Sequence, residues 1–233
     1  MAQDRLPPIP PERWTEAQRK EAEAMIAGPR GAVLAPFVPL LRSPELSGHV
    51  QRLGEYLRYR SAIGVRLTEL AILVTAKHYA QPVEWAIHAP IAEREGLAAA
   101  TVSAIERGER PAPMADDEAL VHDFCVELLQ GRGQVGDATW ARTVGRFGET
   151  AVVDLVATCG YYGLLALVMN AARTRALPRR RIQPASASSS SENRTGRISR
   201  VDSVSWLSFS TSRSCCSSGR PAGMTILPPG FNW

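Results

Sequence analysis

Three ionisable residues in one short stretch, residues 66–96, have the types that proton transfer needs: Glu69, Glu84 and His88. Glu84 and His88 stand four apart in a segment patterned as a helix, so they share a face and can hydrogen-bond or converge on a ligand. Glu69 belongs to the preceding segment, LTELAILV, which is otherwise mainly apolar. A carboxylate there points to the surface or into a pocket, and a buried one needs a partner to offset its desolvation. An antiparallel helix pair turning near Tyr79–Pro82 brings Glu69 toward the Glu84/His88 face. Two carboxylates and an imidazole suffice for general acid–base chemistry. Exposed Glu–His pairs share this i,i+4 spacing and are commoner, so spacing alone leaves both readings open.

Other residues near the stretch could serve a substrate. His78, just before the turn, and its neighbour Lys77 face either the same pocket or solvent. Arg58, Arg60 and Arg66 are candidates to hold an anionic substrate in bidentate fashion, or form a basic surface rim. Trp85 points off the Glu84/His88 face, toward core or a subunit contact. His49 and His122 read as ordinary helix-surface histidines. No HExxH or facial-triad spacing is present, so no metal is expected. Cys125 and Cys159 sit singly in apolar helical patterns, where a thiol is usually buried and inert, and the adjacent Cys215 and Cys216 lack zinc-ligand spacing.

The elements that must position these groups read as helices throughout. Thr15 and Gln18 form a capping box opening a helix that Gly28-Pro29 stops. A loop with Pro36 and Pro39 follows. Ser43 as N-cap and Pro44 at the first position open the next helix, whose apolar face is Leu46, Val50, Leu53 and Leu57. Further helices are expected over residues 66–80, 82–95, 98–107, 116–130, 138–147 (with Asp137 as N-cap) and 149–172. No period-2 strand pattern precedes residue 178, so the class is all-α.

Charge divides the chain. Residues 178–233 carry eight Arg, no Lys and two acids, leaving residues 1–177 with 19 basic and 21 acidic residues, a net charge of −2. The pI near 9.1 therefore belongs to the Ser/Arg-rich tail, and the body has no basic excess to suggest nucleic acid. Two domains follow: a helical body over 1–177 and a tail over 178–233, expected to be disordered or aberrant and assigned no function. The polar, Pro-rich start has no apolar signal core. The apolar run Leu155–Met169, at fifteen residues, falls short of a membrane span. A cytoplasmic protein, free of membrane, is expected.

Glu69, then Gln81 and Glu84 twelve and fifteen residues on, and His88 at nineteen, resemble the signature of the carboxymuconolactone decarboxylase family and its alkylhydroperoxidase-D-like relatives. The peroxidase branch has cysteines at the two middle positions; here neither is, and Glu84 matches the glutamate of decarboxylase-like members. The similarity runs from RLPPIPPERWT through SPEL, GEYLRYR, ELAIL and VEWAIHAPIA to the Tyr161–Asn170 helix, about 170 residues. It implies an alkylhydroperoxidase-D-like helical bundle, assembled as a homo-oligomer (trimer or hexamer). It also implies cofactor-free acid–base chemistry on a small carboxylated lactone or related acid. Glu69, Glu84 and His88 are then the catalytic residues, in interchangeable roles, with His78, Arg58 and Arg60 binding substrate. The alternatives are a peroxiredoxin-like thiol peroxidase, disfavoured because the Cys pair that supplies a low-pKa thiolate is missing, and a non-catalytic oligomeric scaffold.

Overall fold

A computed structural model of the chain describes residues 3–175. The tail assigned to 178–233 lies outside them. Among the described residues there are nine α-helices and no strand, the all-α class expected. They are α1 Glu16–Ala27, α2 Phe37–Leu40, α3 Pro44–Tyr59, α4 Val65–His78, α5 Pro82–Arg94, α6 Ala99–Arg107, α7 Asp116–Gln130, α8 Asp137–Phe147 and α9 Glu149–Ala172.

The organising element is α4. Its residues from Leu67 to Ala76 are buried without a break, because α5, α7 and α9 all pack against it. A helix covered on several sides needs no amphipathic stripe, which explains the continuous apolar run around Glu69. Two apolar clusters meet there. One joins Leu70 and Leu73 of α4 to Val121 and Phe124 of α7 and Leu155 of α9. The other joins Ile72 to Met25, Phe37, Leu57 and Met169.

Local signals act as the sequence reading expects at α1, where the Thr15 hydroxyl accepts from Gln18 N (3.3 Å) and Thr15 N donates to the Gln18 side chain (3.0 Å). Elsewhere they do not. The Pro36–Pro39 loop holds the short α2, every residue of which is buried. Ser43 precedes α3 but its side chain makes no cap bond, and Gly136, not Asp137, caps α8. Along α3, Leu46 and Leu53 are each 46% exposed; the buried face is Ser47, Gly48, Val50, Gln51, Gly54 and Leu57. The buried stripe is thus turned from the predicted one toward small residues, where neighbouring elements approach closely.

Helix α9 also corrects the sequence reading. At 24 residues it is long and apolar enough, by length and composition, to cross a membrane. In this structure Val152, Leu155 and Cys159 enter one core cluster and Tyr162, Leu165 and Met169 the other. Its Asp154 is buried too, and accepts bonds from Tyr56 Oη (3.0 Å) and Ala62 N (2.8 Å), tying the end of α3 and the α3–α4 turn to α9. That tie helps to fix the last turn of α3, from which Arg58 projects.

Candidate active site

Helices α4 and α5 form a tight antiparallel pair whose turn is built by side chains. Ala80 takes a left-handed backbone (φ 49°), and Gln81 caps α5 by accepting from Val83 N at 2.8 Å. The Gln81 amide also donates to Asn170 of α9, which in turn donates to Tyr79 O, both at 2.8 Å. Gln81 therefore has a structural duty where the resembled peroxidase branch has a cysteine. Gly163 of α9 belongs to the same joint: a Cβ there would stand 3.1 Å from the Tyr79 ring.

This pairing brings Glu69, Glu84 and His88 together. All three are buried, at 1%, 1% and 3% exposure. His88 Nδ1 lies 2.6 Å from Glu69 Oε2, and His88 Nε2 lies 3.4 Å from Glu84 Oε2. Both ring nitrogens face carboxylates, an arrangement that only the doubly protonated imidazolium satisfies as a donor at each. Burial works against that charge, but the hydrogen bonds to Glu69 and Glu84 outweigh it and hold His88 above the ordinary histidine range. The Tyr162 ring packs edge-on against the imidazole, centroids 5.1 Å apart, and restricts its rotation.

A second layer supplies positive charge and hydroxyls. Arg58, near the end of α3, places Nη2 3.8 Å from Glu69 Oε1. Arg30, in the loop after α1, stacks over the Phe37 ring at 4.7 Å. Arg30, Arg58, Glu84, His88, Tyr161 and Tyr162 line one cleft, with Leu34, Ile87 and Leu165 among its apolar walls. Burial pushes the Tyr161 hydroxyl up to about 12 despite the nearby guanidinium of Arg30, and raises Tyr162 well above the usual tyrosine range. Both phenols stay protonated donors.

Other candidates lie elsewhere. Arg60 is exposed and stacks on Tyr56 (5.4 Å), outside this cleft. Arg66 is paired with Asp117 (2.6 Å) and Glu118. His78 is exposed and lines a different groove of about 300 Å³ with Lys77, Arg110 and His122. Its place after the last buried turn of α4 carries it away from Glu69. His122 is buried rather than a surface residue, and pairs with Asp123 at 3.1 Å. His49 is exposed and Trp85 packs on the core. No cluster of metal-ligand residues occurs among the described residues.

Sequence reasoning missed Arg30, Tyr161 and Tyr162. Two phenols inside an otherwise apolar helix were a usable signal, since buried hydroxyls need partners. Arg30 sits in a loop and had none. It missed also that Cys125 and Cys159 meet, Sγ to Sγ 3.6 Å, within the apolar core.

Among solved structures, the chain is similar to an "uncharacterized peroxidase-related protein" from Silicibacter sp. TM1040, with a TM-score of 0.60 and 14% identity over 73% of this chain and 88% of that one. The fold is alkylhydroperoxidase-D-like. No family model and no curated relative matches the sequence. At this identity the likeness is one of fold. In this fold the two middle positions of the resembled signature, Gln81 and Glu84, hold the α5 cap and a buried carboxyl group.

Proposed function

We propose that the chain is a cofactor-free, decarboxylase-like enzyme acting on a small carboxylated lactone or related acid. The observation that carries this reading is the buried Glu69–His88–Glu84 line, with an imidazole held between two carboxylates beside a cleft. In the proposed reaction the bond from the lactone ring to the departing carboxyl breaks and CO2 leaves. The electron pair delocalises into the lactone carbonyl, and His88 delivers a proton to the resulting carbanion. The positive charge on His88 stabilises the developing enolate without a metal. Glu69 orients His88, and Glu84 passes a proton from water back to the imidazole. The test is CO2 release from a panel of carboxylated lactones by the full chain, with His88→Gln as control. Turnover lost in that variant supports the reading; an inert wild type across the panel removes it.

Thiol peroxidase chemistry is less well supported. Cys125 and Cys159 are both buried in the apolar core; their shared hydrogen bond raises Cys125 and lowers Cys159, and it is burial, which keeps peroxide from both, that counts against them. We propose further that the chain forms a homo-oligomer. Val153, Val156, Leu164 and Leu167 make an exposed apolar stripe along α9, at 63%, 37%, 37% and 56% exposure, with exposed Trp140 nearby in a groove that includes Val153 and Val156. Light scattering at micromolar concentration should give a multiple of 25.3 kDa; a monomer would remove this element.

A further inference from the structure

Polar atoms inside a protein are almost always hydrogen-bonded, and exceptions at a cleft mark where a ligand completes the set. Among the described residues, eight buried side-chain nitrogen or oxygen atoms lack a partner, and five of them lie on four residues of this one cleft. They are Arg30 Nε and Nη2, Arg58 Nε, Tyr161 Oη and Glu84 Oε1. Arg30 interacts with the Tyr161 hydroxyl, so of that pair the phenol hydrogen and the rest of the guanidinium fork stay open. Four are donors, carried by α3, α9 and the loop after α1. One is an acceptor, on α5. The tyrosine is 4% exposed and the glutamate 1%, so bulk water satisfies neither.

Charge agrees with the donor count: two guanidiniums, Arg30 and Arg58, line the cleft beside the one carboxyl group of Glu84, a balance that suits an anion. Sequence detail is spent on keeping the arginine and the phenol together. Gly54 of α3 lies against them, and a Cβ there would overlap the Tyr161 hydroxyl and stand 2.7 Å from Arg30 Nη2.

We infer that Arg30 and Tyr161, with Arg58, form the carboxylate-binding subsite of this cleft, and that the ligand presents a proton-bearing atom to Glu84 in the same pose. Guanidinium forks match carboxylate geometry, and Tyr161 adds a third donor. The cleft leaves only about 10 Å³ free to a water-sized molecule, the room of about one water, so a carboxylate reaches the arginines only by displacing lining side chains. The rest of a small acid lies along Leu34 and Ile87, the half-buried part of the lining. This inference rests on the proposed enzymatic reading and deepens it. Ion pairing stabilises a ground-state carboxylate and opposes its departure, so the carboxylate held here is the one retained.

Calorimetric titration of the full chain with γ-butyrolactone-γ-carboxylate, its methyl ester and acetate tests the subsite. The carboxylated lactone should bind saturably and the ester should not. Arg30→Met should weaken binding more than about tenfold, and Tyr161→Phe by a few-fold, the ordinary cost of losing a charged or neutral donor to a buried anion. Arg30→Met should keep a cooperative ligand-free thermal transition, so that weakened binding is not lost folding. If Arg30→Met fails to fold, Arg30→Lys and Tyr161→Phe decide through the same titration. Equal binding of acid and ester, no saturable binding, or binding indifferent to both positions overturns the subsite. Carboxylate binding without CO2 release from any lactone would sink the proposed reaction and leave the subsite standing. CO2 release with an unchanged KM in Arg30→Met would do the reverse.

Discussion

Two pairs of reactive residue types are buried in this bundle, and they differ in everything but burial. Glu69 and His88 meet at 2.6 Å beside a cleft, among arginines and phenols with unused donors. Cys125 and Cys159 meet at 3.6 Å inside an apolar cluster of leucines and valines. Proximity alone makes neither pair a reaction centre. The first has charge that must be compensated, polar atoms left open and a cleft at its side; the second has a hydrogen bond to itself. Charge and access, more than the contact, separate a site from a packed core.

That contrast can be broken in graded ways. The largest effect should come from His88→Gln or Glu69→Gln, which ought to lower turnover of a carboxylated lactone by ~10²–10⁴-fold, the usual contribution of a positioned acid–base group. Steady-state kinetics checks it, and unchanged kcat in both variants would move the chemistry elsewhere. Gly54→Ala comes next. Overpacking against Tyr161 and Arg30 should cost about 1–3 kcal/mol in a chemical melt and raise KM more than it lowers kcat.

Stability should also follow His88. Its folded pKa is raised, so the stability its charge contributes is fully present below its unfolded value of about 6.5 and is lost as pH rises through the folded value. The gap between wild-type and His88→Gln thermal midpoints should be greatest near about pH 5 to 6 and shrink as pH rises above the folded value. A gap that grows with pH would show His88 buried neutral. The smallest effect belongs to the thiols. Cys125→Ala or Cys159→Ala should cost about 1 kcal/mol of packing and leave turnover within about twofold. A large loss of activity there would reverse the comparison.

How much of this was legible in the sequence depended on whether a signal was local. The Thr15 capping box, the stop at Gly28 and the α4–α5 pairing are decided by neighbours along the chain, and the helices fall close to where their patterns put them. The face of α3 was not legible. Its buried stripe is chosen by what packs on Gly48 and Gly54, and that depends on partners distant in sequence. For the same reason Glu69, Glu84 and His88 could be grouped from a helix pair, while Arg30, Tyr161 and the Cys125–Cys159 contact come from loops and helices far along the chain. His78, adjacent to the motif in sequence, faces another groove because α4 turns on past the last residue that the core covers.

The claim beneath all of this is that two buried carboxylates hold His88 charged, and a pH titration of its imidazole carbon resonances by NMR addresses it without knowledge of the substrate. The wild-type midpoint should lie above about 6.5 and fall clearly in Glu69→Gln, where burial is left opposed by Glu84 alone. A wild-type midpoint below the ordinary histidine value, or one that Glu69→Gln leaves in place, would contradict it.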